Sequence, residues 1–147
     1  MSPVIGVLAL QGDVAEHVQA LRAIGVNTKE VRTVDELKSV DGLVLPGGES
    51  TTIARLAGIF GLLEPLRAAI KEGLPCFGSC AGMILLADRV LDGEVDQPTF
   101  GGMDITVRRN AFGRQVDSFE TELEIASIAG PPMHAVFIRA PWIEELG

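Results

Sequence analysis

Cysteine, histidine and positive charge are all scarce in this sequence. Cys76 and Cys80 are its only cysteines, and His17 and His134 its only histidines. Ligands so few and so spaced make no recognisable zinc site, and neither a metal nor a cofactor is called for. A disulfide between Cys76 and Cys80 is disfavoured where the segment enters a strand-to-helix turn, so a reduced, cytoplasmic protein is the simplest reading. The net charge of −8 argues against a nucleic-acid or anionic-membrane binder, since both need surplus positive charge. The arginines of "RRNAFGR" are only a local feature in so acidic a chain. No apolar run reaches the roughly 20 residues needed to span a bilayer. The opening "MSPVIGVLAL" has no basic segment ahead of its apolar part, and reads as a buried strand rather than a signal peptide. Internal repeats, low-complexity tracts and linkers are missing too. The glycine-rich turns lack the P-loop lysine, and no G-x-G-x-x-G follows the first strand, which disfavours nucleotide binding.

What is present is a rhythm. The 147 residues, 47% of them hydrophobic, suit a single domain with a real core. "PVIGVLAL", "DGLVLPGG" and "LPCFGSC" are continuous apolar runs bounded by turn signals, the pattern of strands covered on both faces. Between them lie helical patterns: "DVAEHVQALRAIG", then "STTIARLAGIFGLLEPLRAAIKEG" as one or two helices broken near Gly61 or Pro65, and finally "AGMILLADRV". "NTKEVRTV" reads as a short strand and "DELKSV" as a short helix. Beyond Gly93, "MDITVRRNAFG", "FETELEIASI" and "HAVFIRAP" read as further strands, while "EVRTVDELKSVD" and "IEELG" are solvated faces. The fold class expected is α/β: a three-layer, open, mostly parallel sheet with helices on both faces. Loops at Gln11-Gly12, Gly47-Gly48 and Gly78 to Gly82 each follow a strand. They should gather at the carboxyl edge of the sheet, where ligands bind in such folds.

Gly78-Ser79-Cys80-Ala81-Gly82 has the G-x-nucleophile-x-G form of a nucleophile elbow, in which small residues tolerate a strained turn that displays the nucleophile. A thiol at a helix start is favoured as thiolate, and the Ala81 N–H would form half of an oxyanion hole. The competing reading is a buried structural cysteine, which is the preferred one for Cys76. In "PGGES", glycines 47 and 48 permit close backbone approach, and Glu49 could pair with a substrate ammonium. The plainer reading, slightly ahead on the residues alone, is a strand-ending turn with Ser50 capping the next helix.

"LALQGDVAEH", "LPGGESTT", "FGSCAGMILLA", "RRNAFGRQVDSFE" and "VFIRAP" together resemble the glutaminase subunit of pyridoxal 5'-phosphate synthase, in the triad-type (class I) glutamine amidotransferase family. The resemblance runs from Val4 to about Trp142. It implies hydrolysis of L-glutamine to L-glutamate and ammonia through a Cys80 thioester. The ammonia would pass to a synthase subunit that assembles the vitamin B6 cofactor. It further implies substrate binding by Gly48, Glu49, Ser50, Arg109, Ile138 and Arg139, and an oxyanion hole at Gly48 and Ala81.

Triad chemistry also needs a base and a carboxylate to orient it. In the resembled family these are the histidine and glutamate of a His-Pro-Glu motif, which is not found before Gly147. His17 reads as a helix-surface residue, and His134 does not match the motif. The expectation is therefore a single glutaminase domain over 1–147, cut from a longer parent before that segment. A polypeptide truly ending at Gly147 would turn over little glutamine. The alternatives kept open are a non-catalytic subunit that docks on the synthase, and another elbow-cysteine hydrolase.

Overall fold

The computed structural model describes residues 2–93, 97–109, 118–138 and 140–147. In chain order, β1 (Val4–Leu8) leads to α1 (Val14–Ala23), β2 (Asn27–Val31), α2 (Val34–Lys38) and β3 (Gly42–Leu45). Then come α3 (Ser50–Ile59), α4 (Leu63–Lys71), β4 (Cys76–Gly78) and α5 (Ala81–Leu86). The remainder is strand: β5 (Ala87–Leu91), β6 (Met103–Arg108), β7 (Phe119–Leu123), β8 (Met133–Phe137) and β9 (Trp142–Leu146).

The first four strands form one sheet in the order β2-β1-β3-β4, with every pairing parallel. Because side chains alternate across a strand, each strand feeds both faces. Ile5, Val7 and Val44 pack on Val14, Val18 and Leu21 of α1. Leu8, Leu43 and Leu45 pack the opposite way, into a larger core with Ile53, Ala57, Leu62, Leu66 and Leu85. The result is a three-layer α/β arrangement. The long helical pattern divides at Gly61, whose φ of 71° ends α3's run. Pro65 then falls in the first turn of α4, where its missing N–H costs nothing.

One expectation about these elements needs correcting. The helix expected over "AGMILLADRV" stops at Leu86, and Ala87–Leu91 instead forms β5, paired in parallel with β6. Pairing with a distant strand, plus burial of Ala87 against Ile105 and Val107, outweighs the local helical pattern. The strands beyond Gly93 do not extend the parallel sheet: β5, β6 and β9 form a separate mixed sheet, and β7 and β8 an antiparallel pair with Phe119 stacked on Phe137. "IEELG" contributes to β9, although all its residues are exposed, as a solvated face would be. Among the described residues no helix is long and apolar enough to cross a membrane.

The sheet order sets which loops are neighbours. From β1 the chain crosses to β2 on one side, then returns to β3 on the other. The loops leaving β1, β3 and β4 therefore lie side by side at the carboxyl edge of the sheet, where ligands bind in such folds.

Candidate active site

Cys80 follows β4 at that edge, in a strained conformation. Its φ of 52° and ψ of −107° lie where a non-glycine residue is rarely found, a strain that persists only when its surroundings enforce it. The surroundings here are two glycines. A Cβ on Gly78 would lie 2.6 Å from the backbone of Gly82, and one on Gly82 would lie 2.0 Å from the Leu45 carbonyl oxygen. Bare glycine at both positions therefore lets α5 pack directly on the end of β3. The Ser79 N–H donates to that same Leu45 carbonyl at 3.1 Å, pinning the turn from its other side. Cys80 is exposed. Cys76 is half-buried and packs against the main core. Burial pushes its thiol up to about 11, so the two cysteines occupy different chemical environments.

The loop after β3 is zipped to the loop after β1. The Asp13 N–H donates to the Gly47 carbonyl at 3.1 Å, and the Glu49 N–H donates to Gln11 Oε1 at 2.9 Å. Contact is close enough that a Cβ on Gly12 would fall 1.9 Å from the Gly47 oxygen. A trans peptide points its C=O and N–H in opposite directions. With the Gly47 carbonyl held toward Asp13, the Gly48 N–H is turned away from the β1 loop. Among the described residues neither it nor the Ala81 N–H donates to a protein acceptor. Two free backbone donors flanking a cysteine are the parts an oxyanion hole requires.

Glu49, and not Ser50, caps α3. Its carboxylate accepts from the N–H groups and hydroxyls of Thr51 and Thr52. Burial pushes the carboxyl up, but these hydrogen bonds outweigh it and hold Glu49 at about 2. Arg109 Nη2 pairs with Glu49 Oε1 at 3.2 Å. Ser50, only 2% exposed, starts the helix and accepts a hydrogen bond from Gln97 Nε2 at 3.0 Å. Gln97 Oε1 accepts in turn from Arg109 Nη1 at 2.9 Å.

These residues enclose a cavity of about 210 Å³ lined by Gly48, Glu49, Ser50, Cys80, Ala81, Ile84, Arg109, Ala140 and Pro141. Six of the residues named from the sequence thus come together. Ile138 is 45% exposed and does not line the cavity, although Ala140 and Pro141 just beyond it do. Arg139 lies outside the described residues. Gln11 was placed at this edge only through its loop, and Asp13 and Gln97 were not singled out, because a lone polar side chain carries no chemical signature until its neighbours are known. A larger groove of about 540 Å³ runs between α2 and α4, near the amino ends of β3 and β4. No cysteine, serine or threonine lines it, so the smaller cavity is the candidate site.

Neither histidine faces this cavity. His134 lies opposite Glu122 in the β7–β8 pair, and its two ring nitrogens meet Glu122 and Glu120, both at 2.9 Å. His17 is less exposed than a helix-surface residue should be. Its Nε2 is buried without a hydrogen-bond partner among the described residues, 3.8 Å from Asp13 Oδ1.

Residues 7–147 match the SNO glutamine amidotransferase family. The chain is 66% identical to "Pyridoxal 5'-phosphate synthase subunit PdxT" of Parafrankia sp. (strain EAN1pec), an alignment covering 99% of this chain and 72% of that protein. It is 68% identical to the protein of the same name from Frankia casuarinae, covering 99% and 73%. A crystal structure of a glutamine amidotransferase superposes with a TM-score of 0.84 at 48% identity, covering 97% of this chain and 75% of that one.

Proposed function

This chain belongs to the SNO glutamine amidotransferase family, and from that premise we infer which of its residues carry the chemistry. The chain is the glutaminase subunit of a pyridoxal 5'-phosphate synthase. It hydrolyses glutamine to glutamate and ammonia, and the ammonia serves vitamin B6 synthesis on the partner synthase subunit.

Cys80 is the nucleophile of our reading. Its thiolate sulfur attacks the side-chain amide carbon of glutamine, forming a C–S bond while the carbonyl π electrons move onto oxygen. The Gly48 and Ala81 N–H groups donate to that oxyanion. They are useful because they are fixed by the fold before charge develops. Collapse of the adduct expels ammonia and leaves a glutamyl thioester; a general base carries the proton given up by the Cys80 thiol to the leaving nitrogen, a role that neither His17 nor His134 is placed to fill. Water then attacks the thioester carbon through a second oxyanion and releases glutamate and the thiol. Gly48, Glu49, Ser50 and Arg109 hold the substrate, and by the family match we assign Ile138 and Arg139 to substrate binding as well. Residues 1–147 belong to one glutaminase domain, and we place the reaction in the cytoplasm.

One observation carries the reading: Cys80, held at positive φ between two glycines that admit no side chain, opens into the cavity shared with Gly48, Ser50 and Arg109. The test is ammonia release from glutamine by the glutaminase–synthase complex, with covalent labelling by a diazoketone analogue of glutamine. Label confined to Cys80, and protection by excess glutamine, are expected. Full turnover by Cys80→Ala would defeat the assignment.

A further inference from the structure

Gln97 occupies a place that the reaction chemistry leaves without a role. It lies in the segment between β5 and β6, yet its amide reaches the start of α3, 47 positions earlier, and the end of β6, 12 positions later. The orientation of that amide is forced by its partners. Arginine offers donors only, so the oxygen facing Arg109 must be Oε1 and the group facing Ser50 must be the Nε2 donor. This polarity has a consequence for Ser50. A hydroxyl that accepts from Gln97 keeps its own hydrogen free, and Ser50 lines the cavity beside Cys80. The same amide ties down one arm of Arg109 while the other pairs with Glu49.

We propose that Gln97 is a positioning residue for glutamine binding: it turns the Ser50 hydroxyl hydrogen toward an oxygen of the substrate and fixes the Arg109 guanidinium at the rim. The proposal rests on the glutaminase reading of the site, and it concerns affinity for substrate more than the chemical step. Two replacements separate the polarity argument from simple packing. Gln97→Met removes both hydrogen bonds at similar volume. Gln97→Glu keeps an acceptor for Arg109 but has no donor for Ser50, so the Ser50 hydroxyl would turn to donate to the new carboxylate and be lost to the substrate.

The experiment uses the glutaminase–synthase complex. It measures kcat and KM for glutamine, saturable Cys80 labelling by the diazoketone analogue, and Cys80 alkylation by iodoacetamide, mapped by peptide mass. Both variants should raise KM and the half-saturating analogue concentration by roughly tenfold, the worth of about one hydrogen bond near a charged group. Their kcat should change less than threefold, and their iodoacetamide rates and melting temperatures should stay close to the parent's. If both variants bind glutamine within twofold of the parent, the proposal is wrong and the glutaminase reading stands. If Gln97→Glu is unimpaired while Gln97→Met is weakened, the Ser50 polarity argument is wrong. If iodoacetamide reactivity and melting fall along with affinity, Gln97 is only structural, and the proposal is again overturned. Failure of the parent itself to label with the analogue, while iodoacetamide still alkylates Cys80, would remove the glutaminase reading beneath it.

Discussion

Gly82→Ala tests the elbow more sharply than any change to the cysteine itself. The added Cβ would lie 2.0 Å from the Leu45 carbonyl oxygen and 2.7 Å from its carbon, where ordinary contact begins near 3.4 Å. The obstacle is backbone in the core of the parallel sheet, so it cannot rotate aside, and α5 must retreat by more than about 1 Å. Overpacking of this kind costs about 1–3 kcal/mol, and the upper end applies because no flexible atom can yield. Alanine's better helix propensity returns up to about 1 kcal/mol. A net loss of about 2 kcal/mol remains, which in a domain of this size lowers Tm by roughly 4–8 °C. Retreat of α5 also drags Cys80 from its place, and a displacement of about 1 Å can cost on the order of 10²-fold in rate. The control is Gly58→Ala, in helix α3, where a Cβ meets nothing within 4 Å. That change should stabilise by about 0.5–1 kcal/mol. Urea unfolding and analogue labelling of both variants decide the matter. Equal, harmless behaviour of the two alanines would refute the close approach of α5 to β3 on which the elbow depends.

Further outcomes follow from the same geometry. With iodoacetamide near neutral pH, Cys80 should be modified first, because burial pushes the Cys76 thiol up to about 11 and leaves little thiolate there; peptide mapping over time checks the order. Cys76→Ala should keep glutaminase activity within a few-fold, measured as ammonia release, whereas Cys80→Ala should abolish it. Glu49 is held at about 2 in the folded chain, below the ordinary 4.5. Its hydrogen bonds therefore stabilise the fold fully above the unfolded value, and that stabilisation is lost as pH falls from about 4.5 through about 2. Glu49→Gln should flatten the acid limb of the stability curve in that window, read by denaturation at stepped pH. A variant with an unaltered acid limb would show that the cap does not hold the carboxyl down.

Much of this protein is written locally. Apolar runs ending in glycine mark β1, β3 and β4, and strand alternation with helical pattern implies parallel pairing, because each crossover needs a helix to cover the sheet. The Gly-x-Cys-x-Gly spacing is likewise legible, since the steric demand of a sharp turn falls on neighbours within a few residues. The strands β6, β7 and β8 were legible as strands, but the stretch just after Leu86 was not. Whether Ala87–Leu91 continues a helix or becomes β5 depends on β6, a partner more than ten residues away. Ser50 and Glu49 are adjacent and both able to cap a helix; only the positions of Thr51, Thr52 and Arg109 around Glu49 select it. The pairing of Arg109 with Glu49 spans 60 positions, and Gln97 joins Ser50 to Arg109 across the same gap. Such bonds leave no periodicity in the sequence, because they are formed by side chains that meet only after the strands have set the distance between them.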